Sequence, residues 1–180
     1  MQENNEKNEL IEALKKCEAV KFGQFTLASG KTSKYYVDIK KAISDPVTLK
    51  KISDVASDRI DLSKTTRIGG VALGGVPLAT AISLKTELPL LLIRKDAKAY
   101  GTGGRIVGDL EKGDKVILIE DVTTSGGSVL EAINLLRDFG ASVDEVITVV
   151  DREEGAEANL WNENVTLNPL VKASDLLKEK

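Results

Sequence analysis

Histidine is absent from this chain of 180 residues, and cysteine occurs once, as Cys17. Without imidazole, neither a Ser-His-Asp relay nor a Cys-His pair can be assembled, and the usual imidazole zinc sites are excluded. Carboxylates, lysines, tyrosines and hydroxyls remain, so any bound metal is expected to be a hard cation held by oxygen. A lone cysteine closes no intrachain disulfide, which points to a reducing compartment. Aromatic residues are scarce, 4% against an apolar content of 42%, so the interior must be aliphatic, as in α/β proteins. Long apolar runs are also missing: residues 88–93, LPLLLI, fall far short of the roughly 20 needed to span a bilayer. The opening MQENNEKNEL has neither the cationic nor the apolar region of a signal peptide. Net charge is −3 with dispersed basic residues, which leaves no face for duplex nucleic acid. These absences predict a soluble, cytoplasmic protein that binds neither membrane nor nucleic acid.

No repeat, low-complexity tract or linker divides the chain, and its length fits one domain with a sizeable core, residues 1–180. Within it, residues 1–45 read as an N-terminal helix and hood, and residues 46–180 as an α/β core. Leu10, Ile11, Leu14 and Cys17 recur at helical spacing and predict a helix over 8–19. Strands are expected at 24–28 and 34–39 around the turn SGKTS, and Pro46 opens a second helix. From there the pattern alternates: strands at 67–73, 90–94, 115–121 and 143–151, with helices at 76–86 and 125–139. A helix near 155–162, a strand at 165–167 and a closing helix complete the chain. Such alternation implies a mainly parallel central sheet flanked by helices. The glycine-rich stretch KDAKAYGTGG is expected to form a flexible lid loop at about 95–105.

The run VILIEDVTTSGGS, residues 116–128, carries the most chemistry. Four apolar residues without alternation predict a strand covered on both faces. Glu120 and Asp121 emerge at its carboxyl end, and Thr123, Thr124, Ser125, Gly126 and Gly127 make a turn leading through Ser128 into a helix. A helix N-terminus with free amides seats a phosphate. No lysine follows the glycines, so this is not a P-loop, and G-x-G-x-x-G is also absent. Acids beside a phosphate seat repel the ligand unless they hold something else, and sugar hydroxyls or an ion-bridged diol fit. The pattern therefore predicts a sugar phosphate bound at a strand end, where open α/β sheets take ligands. Gly74 and Gly75, ahead of Val76 and Pro77, form a second bare turn that a phosphate could approach. Arg94, Lys95, Lys98 and Arg105 place positive charge on the lid, opposed only by Asp96.

The 116–128 run resembles the 5-phosphoribosyl-1-pyrophosphate (PRPP) signature of the type I phosphoribosyltransferases. RKDAKAYG is similar to the catalytic loop of the orotate phosphoribosyltransferases, R-K-x-x-K-x-H-G, and FTLASGKTSKYY to their N-terminal segment. The resemblance extends from Phe25 to Arg152. It implies the type I phosphoribosyltransferase fold, with a small N-terminal hood and a flexible catalytic loop. It further implies PRPP binding by Glu120, Asp121, Val122, Thr123, Thr124, Ser125, Gly126, Gly127 and Ser128, by Gly74 and Gly75, and by Arg94, Lys95, Lys98 and Tyr100. Orotate would be held by Thr124, Arg152, Tyr35 and Tyr36, with Lys98 and Asp121 in catalytic roles. Three positions depart from the family pattern: Tyr100 for histidine, and Ala28 and Gly74 for lysines.

The implied reaction is transfer of the 5-phosphoribosyl group from PRPP to orotate, giving orotidine 5-phosphate and diphosphate in UMP biosynthesis. Magnesium (Mg2+) is the implied cofactor, carried by PRPP and water with no direct protein ligand. The resemblance also implies a homodimer whose lid reaches the neighbouring subunit's site. A phosphoribosyltransferase for another nucleobase, or a non-catalytic PRPP-sensing regulator, are the alternatives.

Overall fold

Parallel strands that are buried on both faces need cover from two helical layers, and the chain supplies both. A computed structural model describes residues 2–26, 32–96 and 104–178. Helix α1 (Gln2–Lys16) leads into a hairpin of β1 (Val20–Thr26) and β2 (Thr32–Val37), followed by α2 (Ile39–Ser44) and α3 (Pro46–Ser57). Then come β3 (Arg67–Val71), α4 (Gly75–Thr86), β4 (Leu90–Ile93), β5 (Ile106–Val107) and β6 (Lys115–Thr123). The chain continues through α5 (Gly127–Asp138), β7 (Ser142–Asp151), α6 (Ala156–Asn162), β8 (Thr166–Lys172) and α7 (Ala173–Lys178). The main sheet has the order β5-β4-β3-β6-β7-β8, parallel except for β5.

The apolar run of β6 divides its side chains between two cores. Ile117 and Ile119 join the layer containing Leu10, Ile52, Leu78 and Ile82, drawn from α1, α3 and α4. Val116 and Leu118 join the opposite layer, with Val129, Ile133 and Leu136 of α5 and Leu160 of α6. Both faces are apolar, which is why the run shows no alternation. Full burial of each such side chain is worth roughly 1.5–3 kcal/mol.

Several boundaries differ from the sequence expectation, each for a local reason. Helix α1 stops at Lys16, short of residue 19, because the chain reverses at Glu18, whose φ of 57° is left-handed, and Ala19 and Val20 turn into the core. The strand expected through residue 39 ends at Val37. Asp38 accepts a hydrogen bond from the Lys40 amide at 3.2 Å and caps α2, a helix the periodicity did not reveal. Asp45 caps α3 in the same way, accepting from the Thr48 amide at 2.9 Å, with Pro46 in the first turn. Strand β8 runs on to Lys172 through Pro169, which the sheet tolerates because β8 is its edge.

Connections after β3 and β6 run in opposite directions across the sheet, so the chain switches between these two strands. Strand β3 pairs with β6 only as far as Gly70 opposite Ile119, whereas β7 follows β6 to Thr123 opposite Asp151. Beyond Ile119, β6 therefore has a neighbour on one side only, and a cleft opens on the other. The root of the expected lid is held by pairing of Ile93 with Ile106. Residues 97–103, including Lys98 and Tyr100, lie outside the described residues, as does Ala28. No helix among the described residues is long and apolar enough to cross a membrane.

Candidate active site

A cleft of about 280 Å³ fills the switch point. Its lining brings together Gly74, Lys95, Glu120, Asp121, Val122, Thr123, Thr124, Gly126, Gly127 and Ser128, all expected from the sequence. Gly75 packs behind it as the first residue of α4, and Arg94 lines an adjoining hollow with Arg105 and Glu131. Ser125 belongs to the same turn as Thr124 and Gly126 without lining the cleft. Glu120 and Asp121 lie inside β6, which continues to Thr123, and do not terminate it as expected.

The turn after β6 is held by its carbonyls. Thr123 O accepts from the Arg152 amide, Thr124 O from the Ala156 amide and Gly126 O from the Leu130 amide, each at 2.9 Å. Ser125 O accepts from the Asn159 side-chain amide, also at 2.9 Å. Thr123 Oγ1 donates to the buried Asp151 carboxylate at 2.9 Å and ties the ends of β6 and β7 together. Gly126 has φ 80°, a conformation that only glycine adopts freely, and this reversal sends the chain into α5 at Gly127. The opening amides of α5 have no carbonyl one turn earlier within the helix. With the carbonyls engaged behind the turn, the amides at its front form a seat for an anion.

Glu120 is 7% exposed, and burial pushes its carboxyl up to about 9, with the adjacent Asp121 carboxylate adding to the rise. Near neutral pH, Glu120 is therefore a neutral acid. Its Oε1 accepts from the Asp121 amide at 3.0 Å, and Asp121 Oδ1 accepts from the Val122 amide at 3.0 Å. Asp121 reaches across to the turn before α4: a Cβ on Gly74 would lie 2.0 Å from Asp121 Oδ2. The glycine at 74 is what lets the acid lie there. Two adjacent carboxyls can grip a pair of hydroxyls, and the amides beyond them can hold a phosphate on the same molecule.

Arg152 stands at the end of β7, beside the lining of the cleft, with its guanidinium carbon 5.4 Å from the centroid of the buried Tyr35 ring. Glu154 Oε1 lies 2.9 Å from Arg152 Nε, yet that buried N–H makes no hydrogen bond, because the carboxylate is off its direction. An aligned carboxylate ligand would satisfy it better. Tyr36 is largely exposed and packs on Phe25, with ring centroids 5.6 Å apart. Arg105 is committed elsewhere: it donates to Arg94 O at 3.0 Å and pairs with Glu131 at 3.2 Å, so it anchors the root of the lid.

Sequence reasoning missed Lys40, which lines the cleft with its Nζ 3.4 Å from Asp121 Oδ2. The only local signal was Asp38, an N-cap residue two positions earlier.

Comparison with known proteins agrees with this geometry. The phosphoribosyl transferase domain family matches residues 40–166. Over 173 residues the chain is 61% identical to an orotate phosphoribosyltransferase of Methanosarcina mazei, covering 96% of this chain and 92% of that one. The crystal structure of orotate phosphoribosyltransferase from Aeropyrum pernix superposes with a TM-score of 0.84 at 33% identity, covering 94% and 97% of the two chains. The Mycobacterium tuberculosis orotate phosphoribosyltransferase, solved in complex with PRPP, gives a TM-score of 0.75 at 28% identity, covering 95% and 98%. The chain belongs to the phosphoribosyltransferase family, among its orotate phosphoribosyltransferases.

Proposed function

We propose that this protein transfers the 5-phosphoribosyl group from PRPP to orotate, forming orotidine 5-phosphate and diphosphate in pyrimidine biosynthesis. One observation carries the reading: the acid pair and the amide-fronted turn share a single cleft, and Arg152, whose buried Nε–H makes no hydrogen bond, adjoins the lining residue Thr123. Glu120 and Asp121 hold the ribose hydroxyls. The turn from Thr123 to Ser128 seats the 5-phosphate, leaving the diphosphate to lie toward Gly74. Arg152, braced on Tyr35, takes the orotate carboxylate, with Thr124 and Tyr36 alongside. Loss of diphosphate leaves cationic character on the ribose, so catalysis rests on fixing the orotate nitrogen opposite the bond that breaks and on neutralising the departing charge. Arg94, Lys95 and Lys98 supply that charge, Lys98 meets the leaving group, and Tyr100 contributes a hydrogen bond in place of an imidazole. The carboxyls of Glu120 and Asp121 are the hard oxygen groups that suit magnesium, which would supply charge neutralisation to the diphosphate while held by substrate oxygens and water.

Following orotate absorbance on adding PRPP and magnesium tests the assignment, with uracil, adenine, hypoxanthine and guanine as competitors. Turnover of another base and none of orotate would refute it. On the orotate side, Arg152→Lys should raise the KM for orotate by about tenfold or more, because an ammonium cannot donate two parallel hydrogen bonds. Glu154→Gln should lower that KM by removing a competing carboxylate; an increase would show that Glu154 aids binding.

The reading extends to a cytoplasmic homodimer in which each lid serves the neighbouring site. Mixed dimers of Lys98→Ala and Asp121→Asn subunits should regain activity, since one composite site is intact. Verified heterodimers as inactive as either parent would rule out action across the interface.

A further inference from the structure

Among the described residues lining the cleft, two lysines, Lys40 and Lys95, face two acids, Glu120 and Asp121. A bound 5-phosphoribosyl diphosphate brings several more negative charges. Its two phosphate-bearing ends lie on opposite sides of the ribose. With the 5-phosphate seated before α5, the diphosphate falls against Ala72, Leu73 and Gly74, which line the other side. That wall offers backbone and no cation. Asp121 Oδ2 lies 3.4 Å from Lys40 Nζ and 2.0 Å from the Cβ position of residue 74, so the ammonium stands within one side-chain length of the bare turn.

Lys40 is built to change partners. Its backbone is fixed in the first turn of α2, capped by Asp38 and anchored by the buried Ile39 and Ala42. Its side chain is 63% exposed, and a 3.4 Å pair with Asp121 in such surroundings is weak and exchangeable. Phosphate oxygens in the cleft offer a lysine stronger, charge-assisted hydrogen bonds.

We propose that Lys40 is a donor-binding residue: in the free cleft it neutralises Asp121, and on substrate entry its ammonium passes to the diphosphate oxygens beside Ala72–Gly74. This rests on the transferase reading given above. It gives α2, which otherwise packs on α3 and β6, a direct part in substrate recognition.

The test compares wild type with Lys40→Met, Lys40→Arg and Lys40→Glu, measuring KM for PRPP, KM for orotate and kcat. Calorimetric titration with inorganic diphosphate and magnesium gives a readout independent of turnover. Lys40→Met should raise the KM for PRPP by about ten- to hundredfold and weaken diphosphate binding comparably, while the KM for orotate stays within about twofold. Lys40→Arg should recover most of the loss, and Lys40→Glu should be the most impaired. A fall in kcat with PRPP KM and diphosphate affinity unchanged would overturn the proposal, since it would confine Lys40 to positioning Asp121. If wild type binds diphosphate through Lys40 but turns over no orotate, the transferase reading fails and the Lys40 contact stands. Orotate turnover that is indifferent to every Lys40 variant removes Lys40 alone.

Discussion

Replacing Glu120 by glutamine should flatten the dependence of stability on pH between about 5 and 9 and lower kcat/KM for PRPP by about a hundredfold. Folded, this carboxyl holds its proton up to about 9 because the cleft buries it beside Asp121, against a reference value of 4.5. The unfolded chain releases the same proton near that reference value. Between the two values the native state binds more protons than the unfolded state, so stability falls as pH rises through this window and is level on either side. The penalty reaches several kcal/mol at the alkaline end, at about 1.4 kcal/mol for each pH unit of displacement. Lys40, facing the carboxyl from α2, moderates it by favouring the charged form. Glutamine has no proton to hold, so the variant should gain on wild type at pH 9 and not at pH 5. Denaturant unfolding at both pH values measures this, and parallel pH profiles would show that Glu120 does not carry the effect. Activity should move the other way, because ribose hydroxyls donating to Glu120 favour its ionised form with two accepting oxygens, whereas an amide keeps one acceptor and presents a donor in place of the other.

Gly74→Ala and Gly75→Ala, one residue apart, should fail in different ways. A Cβ on Gly75 would meet the Ile119 carbonyl oxygen at 2.2 Å, backbone against the central strand. Relief requires α4 to move off β6 and disturbs the core around Leu78 and Ile119, costing about 3 kcal/mol or more. A Cβ on Gly74 meets the Asp121 carboxyl, which can rotate away, and Asp121 Cβ at 2.8 Å, which a backbone shift of a few tenths of an ångström relieves. Gly74→Ala should therefore melt within a few degrees of wild type yet lose most PRPP turnover, because Asp121 is driven from its place beside Glu120. Thermal melting and steady-state kinetics on the pair separate the two. Equal destabilisation by both substitutions would contradict this account.

The turn after β6 and the acid pair were legible in sequence because their signal is local: an apolar run, two acids, then hydroxyls and glycines on one strand-turn-helix unit. Arg152 was legible as part of a short motif, but its stacking on Tyr35 was not, because 117 residues separate partners brought together only by the fold. Helix α2 escaped notice because its six residues bury only Ile39 and Ala42, too few for a helical period to show. With it went Lys40, whose contact with Asp121 spans 81 positions. Strand β5, of two residues, has no pattern of its own and exists through pairing with β4. Pro169 concealed the length of β8, since only the finished sheet shows that this strand is an edge.

The carbonyls of Thr123, Thr124 and Ser125 are tied to Arg152, Ala156 and Asn159 in the segment after β7, and that of Gly126 to Leu130 within α5, bonds that involve no ligand. Since these bonds are made without the ligand, the loop keeps its arrangement when product leaves. The conformational entropy of arranging it is lost once, during folding, and is not lost again in each catalytic cycle.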